Sequence, residues 1–539
     1  MTSTVWQSWD GTCLRWRVDP AVAASDHVQL WLDGVLFERA PMAEFGQREF
    51  ALAPAGHPRM LFSLRTAHGV VLAPAWRVHY GEPAEVGCDV WNGDVAELSP
   101  LAGCPLPSTR ALAHAPGVSI VVPIHNSAKL VRACIDSVRR WSSRLPRLIL
   151  IDDASQEPEI DVLLRECESH PDIVVLRNAE NQGYTRSCNR GIEVAGNDDI
   201  VLLNADTEVG PRWLQRLRQI AYSDESIGSV TAVSDNAGAF SVPELETYCP
   251  IPSCWSLTQT QRALLHDAGG CLPELPSGNG FCMYIKRAVF DRVGLLDADA
   301  FPQGYGEEND LCQRAEREGF RHVIAGDVFV RHVRSASFGE ARRTALGVTG
   351  MQVLRARYPD YEKKVGDTLY SFQRRVLDYR VRRIYAAADA MRDGRAPRPR
   401  VLIGVADPAR GAVISAAVRE QYQAFILEVN ESRMRLSDEA AVSQSVHEET
   451  GHAGDAGELL LRWLVEHAFE LIHLDSPLAA LKRTADELAI PVLDMTGESL
   501  EYPVAGPSGP EAAEAVALRI RSGLMSRYQQ VMNEGTSFG

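Results

Sequence analysis

The amino-acid sequence predicts a multidomain protein whose central part has an α/β fold with a mainly parallel sheet. From Gly117 to about Ser337, short apolar runs alternate with amphipathic segments, the pattern of buried parallel strands separated by helices. The chain has 539 residues, whereas one domain usually holds about 100 to 200. Hydrophobic residues make up 45 % and charged residues 23 %, ordinary values for globular proteins, so we expect most of the chain to fold.

The elements of the central region follow in chain order. A first strand begins at Val118, and a helix is expected over about residues 128–142, where Leu130, Cys134 and Val138 lie on one face at helical spacing. Further strands are expected at residues 147–153, 173–176 and 199–206, and a further helix at about 159–169. Strands and helices that alternate in this way form a sheet with helices on both faces.

Other patterns flank this central domain, which we place at residues 115–345. Residues 1–108 contain short alternating strands broken by Asp-Gly, Pro-Ala-Gly and His-Gly turns, which predict a small β-sandwich accessory domain. Residues 346–396 are expected to form a helical connector. Residues 397–539 show a second α/β pattern, which predicts a small Rossmann-like domain with a terminal helix over about 510–532.

The connector is basic, and its arginines have two interpretations. Arg374 and Arg380 lie in a helical stretch that also contains Tyr379 and Tyr385. They belong either to a solvated helix face with aromatic anchors or to a surface that contacts an anionic membrane or a lipid-linked diphosphate.

Charge and cysteine content limit the partners and the compartment. With 55 basic and 71 acidic residues, the formal charge of −16 has the wrong sign for broad contact with nucleic acid. The 11 cysteines include no CxxC pair, and an odd number of this kind is typical of reduced thiols in a cytosol. We see no signal peptide and no apolar run of about 18 residues. We therefore expect a cytoplasmic protein, either soluble or peripheral at a membrane.

Polar side chains follow several of the predicted strands. Open parallel sheets bind ligands at the carboxyl ends of their strands, so these residues are expected to meet in one crevice. The alternative is that a lone Asp-Asp pair only caps a helix or forms a turn. The strand-end residues are Pro123, His125, Asn126, Asp152, Asp153, Asn204, Ala205 and Asp206.

Two further features suit phosphate and metal binding. The loop from Asn181 through Gly183 leads into a helix and can present backbone N–H groups to a phosphate, with Arg186 adding positive charge. The loop matches neither GxxxxGK[ST] nor GxGxxG. Asp206 could hold a divalent cation together with the phosphates of a substrate, with His332 as a second ligand or, alternatively, as a structural histidine.

The densest acidic cluster consists of Glu307, Glu308 and Asp310, which open a helix that stops at Gly319. Acidic residues favour a helix N-terminus, which accounts for one or two of the three. Like charges this close raise one another's proton affinity, a property that suits a general base.

Taken together, residues 118 to about 338, roughly two fifths of the chain, resemble the family 2 glycosyltransferases with a GT-A fold. The resemblance is closest to the bacterial branch that builds rhamnose-containing and other cell-surface polysaccharides. The motifs that carry it are Val121-Val-Pro-Ile-His-Asn, Asp152-Asp-Ala-Ser, Asn181-Gln-Gly through Asn189-Arg-Gly, Leu203-Asn-Ala-Asp-Thr-Glu-Val, Gly278-Asn-Gly-Phe-Cys-Met, Gly306-Glu-Glu-Asn-Asp-Leu-Cys-Gln-Arg-Ala, and His332 before Ser335.

The resemblance implies roles for individual residues. Asn204-Ala-Asp looks like the family's DXD motif with its first Asp replaced, so Asp206 and His332 would hold Mn²⁺ or Mg²⁺. Glu308 would be the base, with Asp310 as runner-up and Glu307 beside it. The acceptor side would include Gly278, Asn279 and Gly280. The donor nucleotide would be bound by Pro123, His125, Asn126, Asp152, Asp153, Asn181, Gly183, Arg186, Asn204 and Ala205.

The implied function is an inverting, metal-dependent transfer of a sugar from a UDP- or dTDP-sugar to a hydroxyl of a growing cell-surface glycan or lipid-linked glycan, such as an O-antigen or capsule. The implied partners are other polysaccharide-assembly enzymes, and the implied location is the cytoplasmic face of the inner membrane. Two alternatives stay open, a catalytically silent scaffold of an assembly complex and a nucleotidyltransferase. The segment from Arg398 to Tyr502 more faintly resembles the first half of a GT-B glycosyltransferase.

Overall fold

The structure is a computed structural model. It describes residues 107–142, 146–270, 272–334, 340–369, 371–390, 397–430, 433–438, 447–449, 460–461, 463–465, 467–496 and 524–531, and the strands between residues 5 and 91.

The N-terminal strands form two antiparallel sheets. The strands are β1 (Val5–Trp9), β2 (Cys13–Val18), β3 (His27–Leu32), β4 (Val35–Pro41), β5 (Glu49–Ala51), β6 (Arg59–Thr66), β7 (Ala75–Tyr80) and β8 (Val86–Trp91). Their orders are β1-β2-β5 and β4-β3-β6-β7-β8. The packing of the two sheets into a sandwich stays a prediction.

The central domain is built on a seven-stranded sheet with the order β11-β10-β9-β12-β15-β14-β16. Strand β15 runs antiparallel to its neighbours and the other pairs are parallel. The elements are α1 (Thr109–His114), β9 (Val118–Ile124), α2 (Ala128–Trp141), β10 (Arg147–Asp152), α3 (Pro158–Cys167), β11 (Ile173–Arg177), α4 (Tyr184–Ala195), β12 (Asp199–Leu203), β13 (Thr207–Glu208), α5 (Trp213–Ala221), β14 (Ile227–Val233), α6 (Leu257–Asp267), β15 (Cys282–Ile285), α7 (Arg287–Val293), α8 (Glu307–Arg317), β16 (Arg321–Phe329) and β17 (Arg331–His332).

Alternate residues of the central strands face two separate cores, because successive side chains of a strand point to opposite sides of the sheet. Ile120 and Val122 of β9 pack in one core with residues of α2, α3, α5 and α6. Val121 between them packs in the other core with residues of α4, α7 and α8. The predicted fold class, a mixed and mainly parallel sheet with helices on both faces, is therefore confirmed.

The connector consists of α9 (Glu340–Arg357), α10 (Tyr361–Leu369) and α11 (Phe372–Ala390). Both interpretations of its basic stretch place the arginines outward, and for Arg374 and Arg380 this is wrong. Arg374 is buried, donates hydrogen bonds to the carbonyls of Ala239 and Ser241 and pairs with Asp378. Arg380 is also buried and donates to a backbone carbonyl of the central domain. The apolar residues of α11 join the central core.

The C-terminal region forms a six-stranded sheet with the order β21-β20-β19-β18-β22-β23, in which β20 and β21 are antiparallel to their neighbours. Its elements are β18 (Arg400–Val405), α12 (Pro408–Val418), β19 (Gln423–Asn430), β20 (Arg433–Asp438), β21 (His447–Glu449), β22 (Leu471–Leu474), α13 (Ala479–Glu487) and β23 (Val492–Asp494). Of the predicted terminal helix, residues 524–531 are helical and the rest lies outside the described residues.

This sheet docks on the central domain through polar contacts. Arg262 of α6 makes two hydrogen bonds of 2.6 and 2.9 Å to Glu470, which is buried. Arg212 donates to the carbonyls of Leu488 and Ala489. None of the helices among the described residues is both long enough and apolar enough to cross a membrane.

Candidate active site

A cleft of about 1030 Å³ opens where strands β9, β10 and β12 end, and the N-terminus of α8 faces it. Most of the residues predicted from the sequence line this cleft. They are Pro123, His125, Asn126, Asp153, Asn181, Gly183, Asn204, Ala205, Asp206, Gly278, Asn279, Glu307, Glu308 and His332. Asp152, Arg186, Gly280 and Asp310 are predicted residues that are not part of its lining.

The two strand-end aspartates organise the loops around the donor end of the cleft. The Asp153 carboxylate accepts hydrogen bonds from Asn178 Nδ2 and from the backbone N–H groups of Gln182 and Gly183, at 2.7 to 2.9 Å. Asp152 accepts from the N–H of Ser155. Both carboxylates are thus engaged within the protein and shape the loops at this end of the cleft.

Gly183 is required by its surroundings. Its φ is +86°, a conformation that side chains rarely adopt, and an added Cβ would collide with the carbonyl of Pro302. The loop therefore passes directly against the segment that leads to α8. Helix α4 begins at the next residue, so its N-terminus points its free N–H groups toward the cleft.

A cluster of Asn204, Asp206 and His332 lies where the short strands β13 and β17 pair and bring Thr207 opposite His332. Nε2 of His332 is 3.3 Å from Oδ1 of Asp206, and Nδ1 is 3.0 Å from the carbonyl of Asn236. A carbonyl only accepts hydrogen bonds, so Nδ1 donates to it and Nε2 is directed toward the carboxylate. A carboxylate oxygen and an imidazole nitrogen in this arrangement can both serve as ligands of a cation.

The residues of this cluster fit a divalent cation. Oδ1 of Asn204 is buried and has no hydrogen-bond partner among the described residues. Within that part of the chain, no group of three or more His, Cys, Asp and Glu side chains could hold a metal. A cation here would therefore rely on one carboxylate, one imidazole and an amide oxygen, with substrate phosphates as further ligands.

Two adjacent carboxyl groups of α8 also line the cleft. Oε1 of Glu308 accepts a hydrogen bond of 2.9 Å from the N–H of Gly280, and Oε2 of Glu307 accepts one of 3.0 Å from the N–H of Gly306. Glu307 is 1 % exposed, whereas Glu308 is only partly buried. Burial, and then the neighbouring Glu308 carboxylate, raise the pKa of Glu307 well above its usual value.

The structure keeps Asp310 and Arg186 out of the cleft. Asp310 is fully buried, and its carboxylate accepts from Arg314, Arg357 and the hydroxyl of Tyr358, at 2.7 to 2.8 Å. Arg186 pairs with Asp299 at 3.0 Å, and its side chain is 49 % exposed. Arg334, which had no role in the sequence analysis, lines the cleft near His332.

The sequence analysis also missed one wall of the cleft, which comes from the connector helices α9 and α10. Helix α9 packs closely against the segment before α8, because Gly350 lies so near the carbonyl of Tyr305 that a Cβ would collide with it. The small residues of α9 were a signal for such close packing, although they did not identify the partner. The connector residues that line the cleft are Gly347, Met351, Tyr361, Glu362, Val365, Gly366 and Leu369.

Comparison with known proteins gives the family. The family model described as Glycosyl transferase family 2 matches residues 119–294. Polypeptide N-acetylgalactosaminyltransferase 16 of Mus musculus is 32 % identical over 123 residues, which cover 22 % of this chain and 22 % of that protein. The low-salt glycan biosynthesis hexosyltransferase Agl10 of Haloferax volcanii is 26 % identical over 190 residues, 33 % of this chain and 55 % of that protein.

Solved structures of glycosyltransferases are also similar. The crystal structure of GalNAc-T7 with UDP, GalNAc and Mn²⁺ has a TM-score of 0.37 at 18 % identity, covering 46 % of this chain and 49 % of that one. The mannosyltransferase PcManGT from Pyrobaculum calidifontis with GDP-Man and Mn²⁺ has a TM-score of 0.35 at 18 % identity, covering 54 % and 79 %.

Residues 119–294 of the central domain thus match the family that the motifs of this region predict. The matches to the two curated relatives above span between about a fifth and just over half of their length.

Proposed function

We propose that the central domain transfers a hexosyl group from a nucleoside diphosphate sugar to an acceptor hydroxyl, with inversion at the anomeric carbon. The observation that carries this proposal is the cleft itself, which is lined both by Asn204, Asp206 and His332 and by Glu308. Such an arrangement can hold the diphosphate of a donor near one wall and activate an acceptor at the other.

The donor end suits a nucleoside diphosphate. The N–H groups at the start of α4 and the loop at Gly183 offer hydrogen-bond donors to an anion. Arg334 lines the cleft, and we infer that it faces the diphosphate in place of Arg186, which pairs with Asp299. UDP- and dTDP-sugars are the donors that the sequence resemblance suggests.

Asp206 and His332 would hold a divalent cation, Mn²⁺ or Mg²⁺, with the amide oxygen of Asn204 beside them. When bound, the cation supplies positive charge that stabilises the departing nucleoside diphosphate. The carbonyl of Asn236 holds the imidazole with Nε2 toward Asp206, and the ring stacks on Phe281 with centroids 5.4 Å apart.

Glu308 is the proposed base. The N–H of Gly280 holds one of its oxygens, so the other is available to accept the proton of the acceptor hydroxyl. Attack by that hydroxyl forms the new glycosidic bond as the bond to the diphosphate breaks, and one displacement inverts the anomeric centre. Asp310, the runner-up for the base, is already paired with Arg314 and Arg357, which favours Glu308 in this role.

The replacement Glu308→Gln tests this function. It removes the base but keeps the size of the side chain, so we expect transfer to fall by about 10²- to 10⁴-fold while nucleotide binding stays nearly intact. Glu318→Gln, at the exposed end of the same helix, is the matched control and should keep full turnover. Undiminished transfer by the Glu308 variant would contradict the assignment.

A panel of nucleotide sugars, with and without Mn²⁺, identifies the donor by thermal shift. A donor at a hundredfold excess over its dissociation constant should stabilise the protein by about 2.7 kcal/mol. A growing cell-surface glycan is the acceptor we propose. Arg374 and Arg380 are buried and Arg382 pairs with Glu244, so these arginines of the connector do not support membrane contact, and we propose none.

One observation favours a second function, a catalytically silent scaffold of a polysaccharide assembly complex. Asn204 stands where the family's motif has an aspartate, which lowers the negative charge at the cation site. Hydrolysis of any nucleotide sugar in the presence of Mn²⁺ or Mg²⁺ would exclude the scaffold.

A further inference from the structure

Glu307 and Glu308 are neighbours in the first turn of α8, and both line the cleft. Each carboxyl group accepts a hydrogen bond from a backbone N–H, that of Gly306 for Glu307 and that of Gly280 for Glu308. An ionised carboxylate only accepts hydrogen bonds, so one of two neighbouring carboxyl groups can donate to the other only when it carries a proton. Burial, and then the neighbouring Glu308, raise the pKa of Glu307, which favours a proton on that residue.

Burial decides which residue keeps the proton. Glu307 is 1 % exposed, whereas Glu308 is partly open to the cleft, and removal from water penalises the charged form. The titratable groups that act on the pair are Tyr184 and Cys188 of α4, Cys312 of α8 and Tyr361 of α10, all neutral at pH 7. These neighbours provide no positive charge that would stabilise a second carboxylate.

The surroundings leave the pair little freedom to rearrange. An added Cβ at Gly280 would lie 2.8 Å from Oε1 of Glu308 and would collide with the hydroxyl of Tyr184. The backbone at Gly280 and the hydroxyl of Tyr184 thus lie close to the carboxylate of Glu308.

We propose that Glu307 is a positioning residue that stays protonated and donates its carboxyl hydrogen to Glu308. With the N–H of Gly280, it holds Glu308 in one orientation toward the acceptor hydroxyl. This role rests on the proposed function of Glu308 as the base. It takes Glu307 out of the set of candidate bases and gives it a separate task.

Three variants separate this role from a purely structural one. Glu307→Gln keeps a neutral group that donates a hydrogen bond, and we expect it to retain most of the kcat that Glu307→Leu loses. Glu307→Leu keeps the bulk but cannot donate, and we expect kcat to fall by about 10- to 100-fold, as for a lost hydrogen bond to a charged group, with KM for the donor unchanged. Glu318→Gln is the exposed control.

The pH profile adds a second readout. In the wild type, kcat should fall on the alkaline side as Glu307 loses its proton and the hydrogen bond to Glu308 breaks. The Gln variant cannot ionise at this position, so its profile should lack that alkaline decline. A decline of the same size in both proteins would overturn the proposal.

Infrared spectroscopy tests the proton directly and needs no donor or turnover. At pH 7 the wild type and the Glu318 control should show the C=O stretch of a protonated carboxyl, and Glu307→Gln should lose it. Absence of this band from the wild type, or a Gln variant as impaired as the Leu variant, would overturn the proposal. If Glu307→Gln loses the band as expected but the wild type transfers no sugar, the function proposed for Glu308 is refuted and the protonation of Glu307 is not.

Discussion

At the scale of single residues, Asn204 determines how much negative charge the candidate cation site holds. Its Oδ1 is buried without a partner among the described residues, and its Nδ2 lies 3.5 Å from Nε2 of His332. Of the three residues in the cluster, Asp206 alone provides a full negative charge. A site of this kind depends strongly on phosphates that arrive with the substrate.

The variant Asn204→Asp should strengthen binding of Mn²⁺ to the protein without substrate. A second carboxylate adds attraction for a cation, so we expect the dissociation constant to fall roughly tenfold, which corresponds to about 1.4 kcal/mol. Without metal, the two carboxylates repel and the melting temperature should fall. Calorimetric titration with MnCl₂ measures the affinity.

Asn279→Asp is the control for this experiment, because Asn279 lines the same cleft but does not belong to the cluster. An affinity for Mn²⁺ that stays the same in the Asn204 variant would contradict the placement of the cation.

At the scale of elements, the C-terminal end of α9 holds the helix that carries the proposed base. Arg357 bridges Asp297 and Asp310 at 2.8 Å each, and the Tyr358 hydroxyl donates to Asp310 at 2.7 Å. Asp310 is fully buried on α8, so these contacts tie the connector to the first turn of that helix. The position of Glu308 thus depends on residues outside the segment that the family model matches.

Replacing Tyr358 with Phe removes a single hydroxyl from this contact. We expect the free energy of unfolding to fall by about 1.5 to 3 kcal/mol, the range for a hydrogen bond to a charged group. Urea denaturation measures the change. Tyr248→Phe, at a tyrosine that is 59 % exposed, should leave stability unchanged. Equal stability of the two variants would show that the hydroxyl contributes nothing.

Strand β16 contributes a pH-dependent element through His322. The ring is buried between the Ser229 hydroxyl and the carbonyl of Cys312, and burial lowers its pKa from 6.5 to about 4. Between these values the unfolded chain binds a proton that the folded protein does not. Folding stability should therefore fall as the pH drops from 6.5 toward 4.

Replacing His322 with Gln should flatten this dependence. The full difference between the two pKa values corresponds to roughly 3 kcal/mol. The loss of unfolding free energy between pH 6.5 and 4 should therefore be smaller by about that amount in the variant. Urea denaturation at several pH values measures it. A variant with the same slope as the wild type would show that other groups cause the acid sensitivity.

At the scale of the whole molecule, the C-terminal sheet is held on the central domain by the pair of Arg262 and Glu470. Glu470 is 1 % exposed and Arg262 only 14 %, so the pair is largely shielded from water. Breaking a buried pair by removing one charge leaves the other charge uncompensated. The two domains should therefore unfold less cooperatively when this pair is lost.

Glu470→Gln should lower the free energy of unfolding by about 3 kcal/mol, the lower end of the range for such pairs, because the amide still accepts a hydrogen bond. Scanning calorimetry should show the loss and a broader transition. Glu166→Gln removes an exposed pair with Arg132 and should have no measurable effect. A sharp, unshifted transition for the Glu470 variant would contradict this account of the interface.

The parts of the fold that could be predicted are those that depend on patterns within a short stretch of sequence. The strand at Val118 and the polar residues that follow strands β9, β10 and β12 were found because burial and strand ends leave regular patterns. The pairing of Glu307 with Glu308 was also visible, since the two are neighbours in the chain. The inward orientation of Arg374 was not, because its partners are carbonyls more than 130 residues away. Antiparallel β15 carried no pattern that distinguishes it from a parallel strand.

The buried position of α11 has a consequence for how the protein is made. Leu377, Val381 and Ile384 complete the same core as Ile120. After β9 has been synthesised, about 270 further residues must therefore be added before this core can form completely. At about 5 to 20 residues per second, the wait on the ribosome lasts roughly 13 to 54 seconds. During that interval the unfinished sheet exposes apolar surface that chaperones recognise.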